Sequence, residues 1–200
     1  LSCNPAVGGL SKGNIVREVD ALGGEMARLI DHTMIQFRML NKSRGPAVQA
    51  PRSQADKFAY SALAKETVER QKRLHVFQDT VTGFILNKKG DTIEGVATER
   101  GLSIGGRTVV VTTGTFMEET IFIGEYTSPS GRLGEPAAVG LGTELRKRGF
   151  TVGRLKTGTP ARVARSSLDL NKMEEQPGDP NPMPFSFFGE KPERPNINCY

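Results

Sequence analysis

Glycine and proline set the outer limits of what this chain can fold into. Its 23 glycines and 12 prolines crowd into a few stretches where the backbone must turn sharply or approach something closely. Regular elements have to fit between them. After CNPAVGGLSKG, the segment NIVREVDAL places Ile15, Val16, Val19 and Leu22 at helical spacing, and Gly23-Gly24 stops it. MIQFRML (34–40) reads as a short strand running into NKSRGPAVQAPR, a loop rich in glycine, proline and basic groups. A second helix follows, with Ser53 as N-cap and Ala55, Phe58, Ala59, Ala62 and Leu63 on one face.

Further on, LHVFQDTVTGFIL reads as a strand, NKKGDT as a hairpin turn and IEGVATE as the returning strand. The turn GLSIGG leads into RTVVVTTGTF, a β-branched run closing on Thr113-Gly114-Thr115. This order predicts an α/β fold: a Rossmann-like unit with a parallel sheet decorated by a β-meander. Composition shifts near residue 117. Residues 124–136 look loop-like, 137–149 helical and 151–163 strand then turn, while 174–198 holds most of the prolines and is expected to be irregular. The expected division is 1–116 as part of one domain and 117–200 as an inserted α+β segment, partly irregular.

Charge and cysteine usage narrow the function classes. The formal charge of +5 permits a polyanionic partner such as RNA without demanding one. Cys3 and Cys199 lie near opposite ends, so no disulfide framework is expected and a reducing compartment is. His32 and His75 are far from each other and from both cysteines, which gives no metal-ligand spacing. The apolar runs are too short to span a membrane, and no signal peptide is read. The start at Leu1 and the stop at Cys199-Tyr200 suggest an excised piece of a longer protein.

Five stretches could carry chemistry. A buried parallel strand ending in Thr113-Gly114-Thr115 would let backbone amides approach a phosphate or a flavin edge, or it would be a core strand and a turn. Cys3 lies ahead of a glycine loop, a helix start and Lys12, where a thiolate would be favoured. Unpaired cysteines are also commonly buried as small hydrophobes, and the residues alone leave both readings open. Arg38, Lys42, Arg44 and Arg52 surround a rigid Gly45-Pro46, which suits phosphate recognition or a solvated basic loop. Arg154, Lys156 and Arg162 flank Thr157-Gly158-Thr159, a small anion cradle without the spacing of a nucleotide-hydrolase phosphate loop. The run NPMPFSFFGE could stack a ring or simply pack. The acidic residues show no catalytic pair: Asp20, Asp31, Glu66 and Glu69 fall where helix surfaces are expected.

Together CNPAVGG, SKG, VREVDALGG, RMLNKSRGPAVQAPRSQAD, TTGTF, GRLGEP, GRLKTGTPAR and NPMPFSF, in this order, resemble the MnmG/GidA family over essentially all 200 residues. These are flavin-dependent tRNA uridine 5-carboxymethylaminomethyl modification enzymes. The resemblance implies a homodimeric FAD protein working in the cytoplasm, or in the mitochondrion of a eukaryote, with the MnmE GTPase as partner and tRNA as substrate. It implies methylenetetrahydrofolate as one-carbon donor, NADH as reductant of the flavin, and glycine or ammonium as nitrogen source. Cys3 matches the first of two functional cysteines, a nucleophile toward the uridine or the activated methylene. Val81 and Ala138 fall at FAD-contact positions, and at Ala138, where the family often has serine, a backbone contact would remain. Arg38, Arg44, Arg154 and Lys156 match basic positions assigned to tRNA or flavin phosphates.

The family's N-terminal phosphate loop would precede Leu1. Its second functional cysteine and its helical C-terminal domain would follow Tyr200, and Cys199 matches a less critical cysteine. The chain alone is therefore expected to be inactive. Two rivals stand beside this reading. One is the folate- and FAD-dependent methyltransferase of the tRNA T-loop, against which CNPAVGG and GRLKTGTP argue. The other is a basic RNA-binding module that needs no flavin.

Overall fold

The computed structural model describes residues 4–189, 194 and 196–200. Its contacts divide into two units, Leu1–Val76 with Gly158–Tyr200, and Phe77–Thr157. The boundary read at 116/117 falls inside the second.

In the first unit, β1 (Ala6–Gly8) and β2 (Met34–Leu40) pair antiparallel with the two edges of β3 (Ala50–Ala55). β2 matches the strand read at 34–40. β3 does not match its reading: Ser53 and Ala55, assigned to a helix and its cap, lie in the central strand and are buried. The alternation of Ser53 and Ala55 with Arg52 and Gln54 is a strand pattern whose inward residues are small, so it carries little hydrophobic signal. Pro51 has no N–H for the ladder, but its carbonyl accepts the Gly9 N–H at 2.9 Å.

α1 (Lys12–Ala21) ends beside the glycine pair as read. α2 (Met26–Thr33), which the sequence reading did not place, packs Ala27, Leu29 and Ile30 inward. Val7, Val16, Ala27, Ile30, Met34 and Phe37 close around Phe185, which comes from the distant proline-rich segment and is fully buried. Phe37 and Phe185 meet edge to face, with ring centroids 6.4 Å apart at 80°.

α3 (Lys57–Arg70) is anchored differently. Its N-cap is Asp56, whose carboxylate accepts the N–H groups of Phe58 at 3.1 Å and Ala59 at 3.0 Å. None of its residues is buried, and Phe58 is 82% exposed. With so little packing the cap weighs heavily. Asp56→Ala is expected to cost about 1 kcal/mol and to speed amide hydrogen exchange over the first turn of α3, while exchange in β2 stays unchanged.

In the second unit, β4 (Val81–Leu86), β5 (Ile93–Thr98) and β6 (Ser103–Gly105) form an antiparallel meander. The hairpin at NKKGDT stands as read, whereas GLSIGG, read as a turn, supplies β6. Residues 124–136, read as loop, belong largely to a second antiparallel sheet of β7 (Thr120–Ile123), β8 (Tyr126–Arg132) and β9 (Glu135–Pro136). α4 (Leu141–Lys147) lies within the helix read at 137–149.

The architecture is α/β, but the expected parallel sheet is not formed by the described residues. All three sheets are antiparallel, and the parallel pairing is one isolated bridge, Met117 to Ala138. Among the described residues RTVVVTT pairs with no strand: Arg107 lies in a bend, residues 108–113 are irregular, and Val110 is 83% exposed. A β-branched run has the propensity for a strand, but propensity becomes structure only where a neighbouring edge offers hydrogen bonds. The segment 151–163, read as strand then turn, is likewise irregular.

Candidate functional site

The second unit holds all five flavin-assigned positions, and Val81 and Thr113 line one groove. Val81 opens β4, and with Phe84, Val96, Leu141 and residues 109–113 it walls an almost wholly apolar groove of about 210 Å³. Thr113 stands in that wall, Gly114 follows with φ of +66°, and Thr115 is exposed. The segment leading to α4 passes close to β4: a Cβ on Gly140 would lie 3.0 Å from the Thr82 carbonyl oxygen, and φ there is +112°. Ala138 sits two residues earlier. Its N–H donates to the Phe116 carbonyl and its own carbonyl accepts the Glu118 N–H, both at 2.9 Å. The Ala138 N–H is thus engaged within the chain, which leaves its methyl group and second carbonyl lone pair for any other contact.

Glu118 fastens this end of the unit. Its carboxylate accepts the N–H of Thr143 at 2.9 Å, the Thr143 hydroxyl at 3.0 Å and the Arg146 guanidinium at 3.1 Å. Partial burial works to raise its pKa, but the Thr143 and Arg146 contacts outweigh it and hold the carboxyl below its ordinary value. Arg154, one of the basic positions, donates to the Glu118 carbonyl at 2.9 Å. Lys156 is exposed.

In the first unit Cys3 lies outside the described residues. The loop that follows it is tightly held. Gly8 has φ of +88°, and a Cβ there would lie 2.3 Å from the Pro51 carbonyl and 2.6 Å from the Phe185 ring. Only glycine allows both the left-handed turn and that approach. Phe185 is in turn clamped through its backbone. Asp31 accepts the N–H groups of Phe185 at 2.7 Å and Ser186 at 2.9 Å, and Asp20 accepts that of Phe187 at 2.7 Å. The second carboxylate oxygen of Asp20 is buried without a hydrogen-bond partner among the described residues.

Asp20 and Asp31, read as surface residues, are therefore 1% and 6% exposed, because α1 and α2 are covered by a segment more than 150 positions away. No sequence signal marks them apart from two acids on helices flanking a glycine pair. Burial raises the pKa of Asp31 most strongly; the two backbone N–H groups and His32 oppose that rise, and Asp20 adds to it. Phe187 and Phe188 remain exposed, with the Arg17 guanidinium 4.3 Å from the Phe187 ring centroid.

Arg38 is half-buried on β2, Arg44 is exposed in the turn after it, and Lys42 is paired with Asp179 at 2.8 Å. Arg154 and Lys156 belong to the other unit. Among the described residues no cluster of three His, Cys, Asp or Glu side chains could hold a metal ion.

Comparison with known proteins places these observations. The family model described as "Glucose inhibited division protein A" matches residues 1–200. A relative from Treponema denticola named tRNA uridine 5-carboxymethylaminomethyl modification enzyme MnmG is 58% identical, covering all of this chain and 33% of its own length. A relative of the same name from Borreliella burgdorferi is 60% identical over 200 residues, covering 32% of its length. The crystal structure of Aquifex aeolicus GidA superposes with a TM-score of 0.90 at 45% identity, over all of this chain and 34% of that one. The chain belongs to the glucose-inhibited division protein A family, GidA. It spans about a third of the length of the curated relatives it matches.

Proposed function

We propose that this chain is a segment of a longer flavoenzyme that modifies carbon 5 of the wobble uridine in tRNA anticodons. The observation that carries the reading is the match of all 200 residues to relatives named tRNA uridine 5-carboxymethylaminomethyl modification enzyme MnmG, at 58–60% identity. In this reading the enzyme is a cytoplasmic homodimer that acts with the MnmE GTPase, uses NADH and methylenetetrahydrofolate, and adds a carboxymethylaminomethyl or aminomethyl group. Among the described residues, no helix is long and apolar enough to cross a membrane.

The groove beside Val81 and Thr113 suits one face of a flavin ring, being apolar along its walls with the unobstructed Gly114 backbone at its rim. Val81, Ala138 and Thr113-Gly114-Thr115 would hold the FAD, which supplies the redox and one-carbon chemistry when bound. Arg38, Arg44, Arg154 and Lys156 would meet phosphates of the substrate or the cofactor. Cys3 would add to carbon 6 of the uridine and leave carbon 5 nucleophilic toward an electrophilic methylene, which splits one hard step into two easier ones. On its own the chain would lack the groups needed for turnover.

The test is Cys3→Ser in the full-length enzyme, with flavin absorbance and folate-dependent labelling of the wobble uridine read on one preparation. Labelling is expected to fall at least about 100-fold with flavin retained, since an alcohol is a far poorer nucleophile than a thiolate. Flavin and labelling lost together would make Cys3 a packing residue of the loop. Labelling on the T-loop instead of the anticodon would overturn the reading.

A further inference from the structure

The first unit contains a small polar cavity that the flavin and Cys3 assignments do not use, although Arg38 lines it. It lies between β2, β3 and the backbone bridge that joins Gln176 to Cys199, and its volume is about 60 Å³. That is about four times the space a water molecule needs. Arg38 and Arg52 line it as direct cross-strand partners in the β2–β3 ladder, so their side chains leave the same face of the sheet. Like charges placed opposite each other repel and lower stability. No carboxylate among the described residues lines the cavity to offset them. Arg38 donates to the Gln176 side-chain oxygen at 2.9 Å, which leaves most of its fork free, and Arg52 has no partner among the described residues.

The wall is fixed before any ligand arrives. Gln36 is 4% exposed, and its amide nitrogen donates to the carbonyls of Gln176 at 2.9 Å and Ile197 at 2.8 Å. The bridge itself is closed by Gln176 N–H to Cys199 carbonyl at 2.7 Å and the reverse bond at 3.1 Å. Gln54, opposite Gln36, adds a further amide to the lining. Three segments remote in sequence thus bring two cross-strand arginines to one amide-lined hollow, a preorganised arrangement that lowers the entropy cost of binding.

We propose that this cavity is an oxyanion site that takes one phosphate group between Arg38 and Arg52. A tetrahedral phosphate presents one oxygen pair to each guanidinium fork, whereas a carboxylate has a single edge to share. The phosphate could belong to a free phosphate compound or to an RNA backbone. The site needs neither a flavin nor Cys3, so it stands or falls apart from the enzymatic reading. Its RNA form would deepen the assignment of Arg38 to substrate.

Cys199 borders the cavity and serves as a reporter. On the full 200-residue chain, iodoacetamide labelling of Cys199 is followed by peptide mass spectrometry, which separates it from Cys3. The runs use inorganic phosphate, chloride at equal ionic strength, or a short single-stranded RNA. Phosphate is expected to slow labelling and to raise the thermal midpoint where chloride does neither. Arg52→Gln is expected to weaken that protection about tenfold, the loss of one charge-assisted contact. The same variant without phosphate is expected to melt no lower than the wild type, because a like-charge pair has been removed; this separates lost binding from lost folding. Arg70→Gln, on α3 and outside the cavity, is expected to leave protection intact. Protection by RNA at far lower concentration than by phosphate assigns the group to an RNA backbone, and protection by phosphate alone assigns it to a free phosphate compound. Equal labelling in phosphate and chloride, or full protection in Arg52→Gln, would overturn the site.

Discussion

Asp31→Ala is expected to destabilise the first unit by about 3 kcal/mol, because two buried N–H donors would each lose their acceptor at a cost of about 1–3 kcal/mol. The Asp31 carboxylate accepts the Phe185 and Ser186 amides at 2.7 and 2.9 Å, and an alanine side chain offers no acceptor in its place. A lowered urea midpoint, with the second unit's β4–β5 amides still protected, would confirm it. The pH dependence carries a definite sign. Asp31 has a raised pKa in the folded chain, with burial as the leading cause, so the folded state binds this proton more tightly than the unfolded state. Its contribution is therefore fully present below the ordinary carboxyl value and is lost as pH rises through the folded one. The stability gap between wild type and Asp31→Ala is expected to be larger near about pH 4 than near about pH 7, since only the wild type gains that proton linkage. A gap that widened toward neutral pH would show that the ionised carboxylate is the favoured folded form.

Phe185→Ala is expected to cost about 3–5 kcal/mol, the range for removing a fully buried aromatic ring. Phe185 is 0% exposed, meets Phe37 edge to face and lies against Gly8. The loss would be felt twice, as a cavity in the core and as slack in the loop that follows Cys3. Phe185→Leu keeps part of the volume and is expected to recover more than half of the lost stability. Thermal melts of the three proteins decide this. A small change in Phe185→Ala would mean that the proline-rich segment only rests on the sheet.

The carboxylate clamp and the aromatic plug belong to one device. Asp20 and Asp31 hold the backbone of residues 185–187, that backbone presents Phe185, and Phe185 fills the space that Gly8 leaves open. A segment too rich in proline for regular structure is thereby fixed in place by side-chain acceptors from two helices. The arrangement links the far end of the sequence to the loop that follows Cys3.

Local signals were legible wherever the determinants lie close together in the chain. β2 at 34–40, the stop of α1 before Gly23-Gly24, the hairpin around NKKGDT and the helix before Gly149 follow from periodicity and turn chemistry. The family was legible too, since its motifs are strings of adjacent residues, and the match to residues 1–200 agrees.

The misread elements share one cause, which is that a partner distant in sequence decided them. Ser53 and Ala55 became strand because two other strands flank them, and RTVVVTT stayed unpaired because no described strand edge meets it. Asp20 and Asp31 became buried acceptors because residues 185–187 needed them. The sequence by itself determined the turns, the amphipathic stretches and the family. Tertiary structure alone decided which polar groups lie inside and which arginines face each other, because the cost of burying a charge and the gain of a hydrogen bond depend on what the fold brings alongside.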